Sequence, residues 1–378
     1  MKVLFVSSPG LGHLLPMIPL AWAFRASGHD VVIATAEHAH RAAQAGLEVV
    51  DIAPHFSSVA AFEQVAKDRP DFVTTVATRP AIDLAEWGVQ IAAVNRPLID
   101  GLLTLTDDFK PDLVVYEQGA TAGLFAAARA GVPSVQRNHG AFATGGMHDA
   151  IASYLGDFFE KYDLPKSLPK PDVIIESFPP SMILDRAPEG WFMQWVPYGG
   201  GEVHGDRWPT APERPQVAVS MGTIELQAFG LGAAESIIAA AAEVDADFVL
   251  ALGDLDTTPL QPLPSNVRAI GWTTLHRLLR QCAAVVHHGS GGMIMTSIES
   301  CTPQLLAPDA RDMFQHSGRD AVRKLGVGLV STADQVTPEL LTELIRDEKL
   351  ARQMKVVRDE VHSLPSPAET VRRIIAEI

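Results

Sequence analysis

The run Ala283-Ala284-Val285-Val286-His287-His288-Gly289-Ser290-Gly291-Gly292-Met293-Ile294-Met295 constrains this chain's fold more than any other stretch. Ala283 to Val286 is short, apolar and partly β-branched, as expected of a strand buried on both faces of a parallel sheet. A glycine cluster follows, and Met293 to Cys301 is apolar enough to be a helix. Strand, glycines and helix in that order aim backbone N–H groups and a helix N-terminus at one point, which suits an anion. His288 stands where the strand ends, so its ring can donate to the same anion. The sequence therefore predicts a diphosphate site here, with the rest of the chain bringing a second molecule to it.

The bulk composition narrows the classes. A chain of 378 residues suits two domains of ordinary size, and 47% hydrophobic residues supply their cores. Thirty Lys and Arg against 45 Asp and Glu give a net charge of −15. No basic stripe is available to neutralise a nucleic-acid backbone, so that partner is excluded, whereas a small phosphate-bearing molecule is not. Two cysteines, Cys282 and Cys301, make neither a disulfide framework nor a zinc spacing, and point to a reducing, cytoplasmic compartment. The opening Met1 to Val6 is too short for a signal peptide, and no run is long enough to span a membrane. The sequence leaves a homodimer open.

In chain order, Lys2 to Ser7 reads as a strand, Leu14 to Ser27 as one amphipathic helix stopped at Gly28, and Val31 to Ala34 as the next strand. This βαβ opening predicts a parallel α/β sheet. Its first loop, Ser8-Pro9-Gly10-Leu11-Gly12-His13, lacks the third glycine of a dinucleotide fingerprint, because Leu15 stands there. Glu37 keeps a nicotinamide reading formally open. A helix is expected near Ala81 to Leu103, and strands at Pro111 to Tyr116 and Ser134 to Arg137. Catalytic side chains in open α/β sheets gather just beyond strand C-termini, so His13 and Glu117 can meet. Phe56, Phe62, Trp87, Phe142 and Met147 suggest an apolar wall for a bulky molecule.

Residues 206–215, rich in Pro, Gly and Trp surroundings, are expected to link domain 1–205 to a second unit of residues 216–360. That unit reads as strands at Gln216 to Met221, Asp247 to Leu252, Asn266 to Ile270, the opening run, and Gln304 to Ala307. A helix at 361–378 is expected to pack back on the first domain. The fold class is thus α/β, two Rossmann-like doubly wound domains. Asp254 and Asp256 follow a strand but read as a solvated turn, so no metal site is expected.

Gly10-Leu11-Gly12-His13, Gly271-Trp272-Thr273-Thr274-Leu275, His287 through Gly292 and Pro308 through Phe314 together resemble the inverting, nucleotide-sugar-dependent glycosyltransferases of GT-B fold. Within them the chain is most similar to bacterial enzymes that glycosylate macrolides, aromatic polyketides and enediynes (calicheamicin-type) from dTDP-deoxysugars. The resemblance spans nearly the whole chain. It implies two domains facing across a cleft, the acceptor bound by the first and a dTDP-sugar co-substrate by the second, with no cofactor. It makes His13 the general base, in a loop with Gly10 and Gly12, and Glu117 its partner where the family usually has Asp. It makes Trp272 the platform for the nucleotide base, with backbone groups of Thr273 to Leu275 at its edge. Ser220, Gly222, Thr223, His288, Gly289, Ser290, Gly291 and Gly292 would hold the diphosphate, and Asp312 and Met313 the sugar. Ser290 replaces a usual glycine and Met293 a usual Thr or Ser. Two rival readings are a non-catalytic partner protein of this architecture and a nucleotide-sugar epimerase.

Met313 stands where a Gln is usual, and losing that donor and acceptor fits a sugar with fewer hydroxyls. Met313→Gln is expected to shift donor preference toward fully hydroxylated sugars in a competition between dTDP-sugars. An unchanged preference would remove the argument.

Overall fold

Thirteen short strands, the central ones buried along their whole length, set the architecture of the computed structural model, which describes residues 1–37, 39–71, 87–183, 186–203, 212–222, 230–310 and 316–378. In the first unit these are β1 (Lys2–Val6), β2 (Asp30–Thr35), β3 (Glu48–Asp51), β4 (Leu113–Glu117), β5 (Ser134–Arg137), β6 (Val173–Glu176) and β7 (Trp191–Phe192). In the second they are β8 (Gln216–Ser220), β9 (Asp247–Ala251), β10 (Val267–Ile270), β11 (Ala284–His287), β12 (Gln304–Leu306) and β13 (Leu329–Val330). Every strand pair among the described residues is parallel. The orders are β3-β2-β1-β4-β5-β6-β7 and β10-β9-β8-β11-β12-β13. Counted within its own unit, the second sheet repeats the first six places of the first sheet. Both are the 3-2-1-4-5-6 doubly wound order, whose switch point falls between the first and fourth strands.

The cores follow from the strand sequences. Val217, Val219, Phe248, Leu250 and Val286 are fully buried in one, and Leu4, Val6, Val114 and Tyr116 in the other. Each such side chain contributes roughly 1.5–3 kcal/mol on leaving water, which outweighs the weak local propensities of strands only four or five residues long. β3 has an exposed, polar pattern because it is an edge strand, and its sequence does not announce it.

The helix expected at Leu14 to Ser27 is in three pieces: a turn at Leu11–Leu14, a 3-10 turn at Leu15–Met17, and a helix at Ile18–Ala26. Pro16 and Pro19 cause the division, since neither can donate to the carbonyl four residues back. Gly28, at φ +84°, ends the helix as expected. The long helix after the wall segment runs Gly88–Phe109 and ends on Lys110 in the left-handed region; residues 81–86 of the expected helix lie outside the described residues.

The chain divides into Met1–Pro180, Asp185–Gln194 and Leu364–Ile378 as one unit, and Ser181–Leu184 with Trp195–Ser363 as the other. The second unit therefore takes in residues 195–203, ahead of the expected linker, because Trp272 donates from Nε1 to the Gly199 carbonyl and Thr274 from its hydroxyl to that of Gly200. The helix Pro367–Glu377, opened by a capping box of Ser366 and Glu369, packs on Ile18–Ala26 in the first unit. Among the described residues no helix is long and apolar enough to cross a membrane.

Gly101 brings Gly88–Phe109 against the backbone that leaves β3: a Cβ there would stand 2.1 Å from the Ile52 carbonyl oxygen. In an exposed helix Gly→Ala would gain about 1 kcal/mol of helix propensity. Here no rotamer relieves the clash, and overpacking of this kind costs about 1–3 kcal/mol. Gly101→Ala is expected to lower unfolding stability in urea; a stabilised variant would contradict the close approach.

Candidate active site

At the switch point of the first sheet, β1 delivers the loop Ser8 to Gly10 and β4 delivers Glu117. Val6 lies opposite Tyr116 in the register, so Glu117 comes level with the start of that loop. The Leu11–Leu14 turn, whose last residues donate from N–H to the Gly10 carbonyl, swings His13 back over the sheet edge. His13 Nδ1 lies 2.9 Å from Glu117 Oε2, so the longer Glu does reach the ring. Glu117 is fully buried and accepts from three other donors: Ser8 N–H at 3.2 Å, Ser8 Oγ at 2.5 Å and Gly119 N–H at 2.7 Å. Burial alone would raise its pKa. The charge and hydrogen bond of His13, the His139 ring and Ser8 reverse this and hold the carboxyl well below its usual range.

An ionised Glu117 fixes the His13 tautomer. Nδ1 carries the proton, and Nε2 keeps its lone pair on a side chain that is 37% exposed. Burial lowers the pKa of His13, but the Glu117 charge and hydrogen bond outweigh it, and the net shift is upward. Gly10 and Gly12 both have ordinary negative-side backbone, and a Cβ on Gly12 would meet nothing within 4 Å.

A second imidazole sits beside this pair. The His139 ring meets that of His13 edge-on, with centroids 4.5 Å apart at 73°, and its Nδ1 is 3.7 Å from Glu117 Oε2. Its backbone N–H donates to Gln118 Oε1. Burial, then the neighbouring His13 and Arg137 charges, depress its pKa to about 3 in spite of Glu117. Sequence reasoning passed over His139, although it follows the end of β5 just as His13 follows β1. Behind it, His148 has Nδ1 2.8 Å from Thr121 Oγ1 and Nε2 2.8 Å from Gln136 Oε1.

The expected apolar wall is only partly assembled. A cavity of about 770 Å³ lies between the helices Ser58–Asp68 and Gly88–Phe109, lined by Phe56, Ala60, Ala61, Val65, Val89, Ala92 and Tyr154, with Arg69 and Arg96 among its polar groups. Phe56 faces it. Phe62 does not line it, and Phe142 folds over Gly140 instead. Trp87, the N-cap of Gly88–Phe109, and Met147, the first residue of Met147–Ala152, are core residues at 3% and 2% exposure.

At the corresponding switch point of the second sheet, β8 ends at Ser220 opposite His287, the last residue of β11. Gly222, at φ +70°, lies so close to the His288 ring that a Cβ would stand 2.6 Å from its Cε1. His287 is fully buried. Its Nδ1 accepts from Gly289 N–H at 3.0 Å, and its Nε2 donates to Gln304 Oε1 at 2.9 Å. That turn carries Gly289 to φ +97° and brings Ser290, as N-cap, to the start of the helix Gly291–Ser300. The Ser290 side chain makes no capping bond, so the first helical N–H groups of Gly291 and Gly292 are not taken by it. Met293 turns into a small core with Ala218, Leu279 and Val285. The buried Arg319, unmarked by any sequence motif, lies beside Gly289. Half-buried Trp272 is braced by Gly199 and Gly200, Thr273 bonds Glu202, and the Leu275 side chain joins the small core. Thr223, Asp312 and Met313 lie outside the described residues.

Residues 235–377 match the family model described as erythromycin biosynthesis protein CIII-like, C-terminal domain, and residues 22–222 match its N-terminal counterpart. Elloramycin glycosyltransferase ElmGT of Streptomyces olivaceus is 34% identical, over 99% of this chain and 97% of its own. The crystal structure of the glycosyltransferase SnogD from Streptomyces nogalater aligns with a TM-score of 0.83 at 33% identity, covering 100% of both chains. Spinosyn rhamnosyltransferase SpnG, solved with thymidine diphosphate and separately with spinosyn aglycone, aligns at TM-scores of 0.79 and 0.80 with 26% identity, over 99% of this chain and 100% of its own.

His148 and His287 are wired as neutral rings, at pKa values of about 4 and about 3, burial being the largest cause for each. The unfolded chain binds protons near pH 6.5 that the folded chain refuses, so their contribution is full above that pH and lost as pH falls toward 4. His13, shifted upward, works in the opposite sense. The destabilisation caused by His148→Gln is therefore expected to be smaller at pH 5 than at pH 7, by roughly 1–2 kcal/mol. Equal losses in urea unfolding at the two pH values would refute the wiring.

Proposed function

The chain belongs to the EryCIII-like family of glycosyltransferases, and on that premise we propose that it moves a deoxysugar from a dTDP-activated donor to a hydroxyl of an apolar, polyketide-type aglycone. The transfer inverts the anomeric carbon and needs no metal. The observation that carries this reading is the His13–Glu117 couple: a buried carboxylate on Nδ1 leaves the lone pair on Nε2 of a partly exposed side chain.

An alcohol is a poor nucleophile until its proton is taken, and imidazole can take it near neutral pH. His13 Nε2 removes the acceptor proton as the oxygen bonds to the anomeric carbon and the bond to the diphosphate breaks. The imidazolium so formed is stabilised by Glu117, which holds orientation and charge together. The departing dTDP gains negative charge. His288, the N–H groups of Gly291 and Gly292 and the positive end of the helix Gly291–Ser300 meet that charge with dipoles already in place. Preformed donors of this kind replace a metal's role. Ser220, Gly222 and Thr223 approach the same diphosphate, Trp272 stacks on the base for about 1–3 kcal/mol, and Asp312 and Met313 read the sugar. The 770 Å³ cavity of the first unit is of a size for a polycyclic or macrolide acceptor. The names borne by the relatives, and the ligands held by SpnG, support a thymidine nucleotide and a natural-product aglycone as the pair of substrates.

His13→Ala is expected to reduce kcat/KM about 10²–10⁴-fold in a mass-spectrometric screen of dTDP-sugars against polyketide aglycones, with thymidine diphosphate binding retained. Because His13 acts unprotonated and its pKa is raised, the acid limb of the parent profile should lie above pH 6.5, and Glu117→Gln should move it down while slowing the reaction. Full activity in His13→Ala would end the base assignment. A product of retained configuration would end the mechanism, and sugar released or isomerised without an acceptor would favour an epimerase.

A further inference from the structure

We propose that His13, Glu117 and His139 form a capture site for a transition-metal dication, Zn²⁺ foremost, and that capture disables the base. One nitrogen of each ring and one carboxylate oxygen all lie within 4.8 Å of one another. The two edges that meet at Glu117 Oε2 measure 2.9 Å from His13 Nδ1 and 3.7 Å from His139 Nδ1. Bonds of about 2.0–2.2 Å to a common ion require ligand atoms about 3–3.5 Å apart, and the observed edges bracket that range. His139 Nδ1 is buried, has no hydrogen-bond partner among the described residues, and faces the carboxylate. A cation between them would satisfy this nitrogen. Two imidazoles and a carboxylate are a ligand set for Zn²⁺, Co²⁺ or Ni²⁺ rather than Mg²⁺ or Ca²⁺.

The second half of the proposal, inhibition, rests on His13 being the base; the binding half does not. In the working enzyme His13 holds a proton on Nδ1 and a lone pair on Nε2. An ion binding at Nδ1 displaces the proton there and takes the lone pair so freed, and that proton passes through solvent to the lone pair on Nε2. The ring then offers the acceptor an N–H donor in place of a lone pair. No charge or electron is left unaccounted for, and nothing is oxidised.

The test uses the full chain stripped with chelator and titrated with Co²⁺. Visible d–d absorption should saturate at one equivalent, be displaced by Zn²⁺, and be lost in both His139→Asn and Glu117→Gln, with each variant's fold checked by circular dichroism. In the transfer assay Zn²⁺ should inhibit the parent reversibly with EDTA, and the inhibiting concentration should rise about tenfold or more in His139→Asn, since even supporting residues of metal sites cost about 10–100-fold. Absence of the absorption, or its persistence at full strength in folded His139→Asn, would overturn the site. Stoichiometric binding that leaves transfer untouched would uphold the site and overturn His13 as the base.

Discussion

The buried negative charge of Glu117 organises the catalytic end of the first unit. Glu117 has no contact with water, and an ionised carboxylate in that position is tolerable only if its oxygens are filled. They are filled by two donors each: Ser8 N–H and hydroxyl on Oε1, His13 Nδ1 and Gly119 N–H on Oε2. Meeting that demand draws the loop after β1, the loop after β4 and the His13 turn to one place. The orientation of the imidazole is thus a by-product of satisfying the carboxylate, and its tautomer follows from the same bond. Removing the charge would loosen three segments at once, which is why the arrangement is stiff as well as reactive.

The second unit reaches an anion-seeking site by a different route on the same topology. There the strut is neutral. His287 and Gln304 bond inside the sheet, and the remaining ring nitrogen takes the Gly289 N–H, so the turn that follows is set from beneath. Of two adjacent histidines, one is committed to the interior of the sheet and the other packs its ring against Gly222 in the loop after β8. Strand order explains why both sites occur where they do: adjacent strands whose crossovers run to opposite sides leave a gap at their carboxyl ends, and each unit fills it with a glycine-bearing loop.

How much of this was legible in the sequence differs from residue to residue. The buried strands were plain, because Leu113 to Glu117 or Ala284 to His287 can hardly be anything else between glycines and helices. Edge strand β3 and the short β6 and β7 were not, since their pairing comes from neighbours rather than from their own pattern. Pro16 and Pro19 were visible but overruled by the apolar periodicity around them. The chemistry of His13, Glu117 and His288 could be read from strand ends and from resemblance. His139 could not, because a lone histidine in a loop carries no signal until the sheet sets it against another ring. Large apolar side chains gave the weakest guidance: Trp87 and Met147 went to the core and Phe56 to the cavity, and only burial separates these cases. The stretch 195–203 was read as the end of the first domain, whereas its carbonyls brace Trp272 in the second unit.

The path of the chain carries one further consequence. Residues 364–378 return to the first unit, where the helix Pro367–Glu377 covers Ile18–Ala26, Gln194 donates its N–H to the Pro365 carbonyl and Arg373 lies over the Trp191 ring. During synthesis the opening sheet can be assembled early, but its apolar flank stays uncovered until residues 367–377 have left the ribosome. The packing of the first unit is therefore complete only once residues 367–377 are in place.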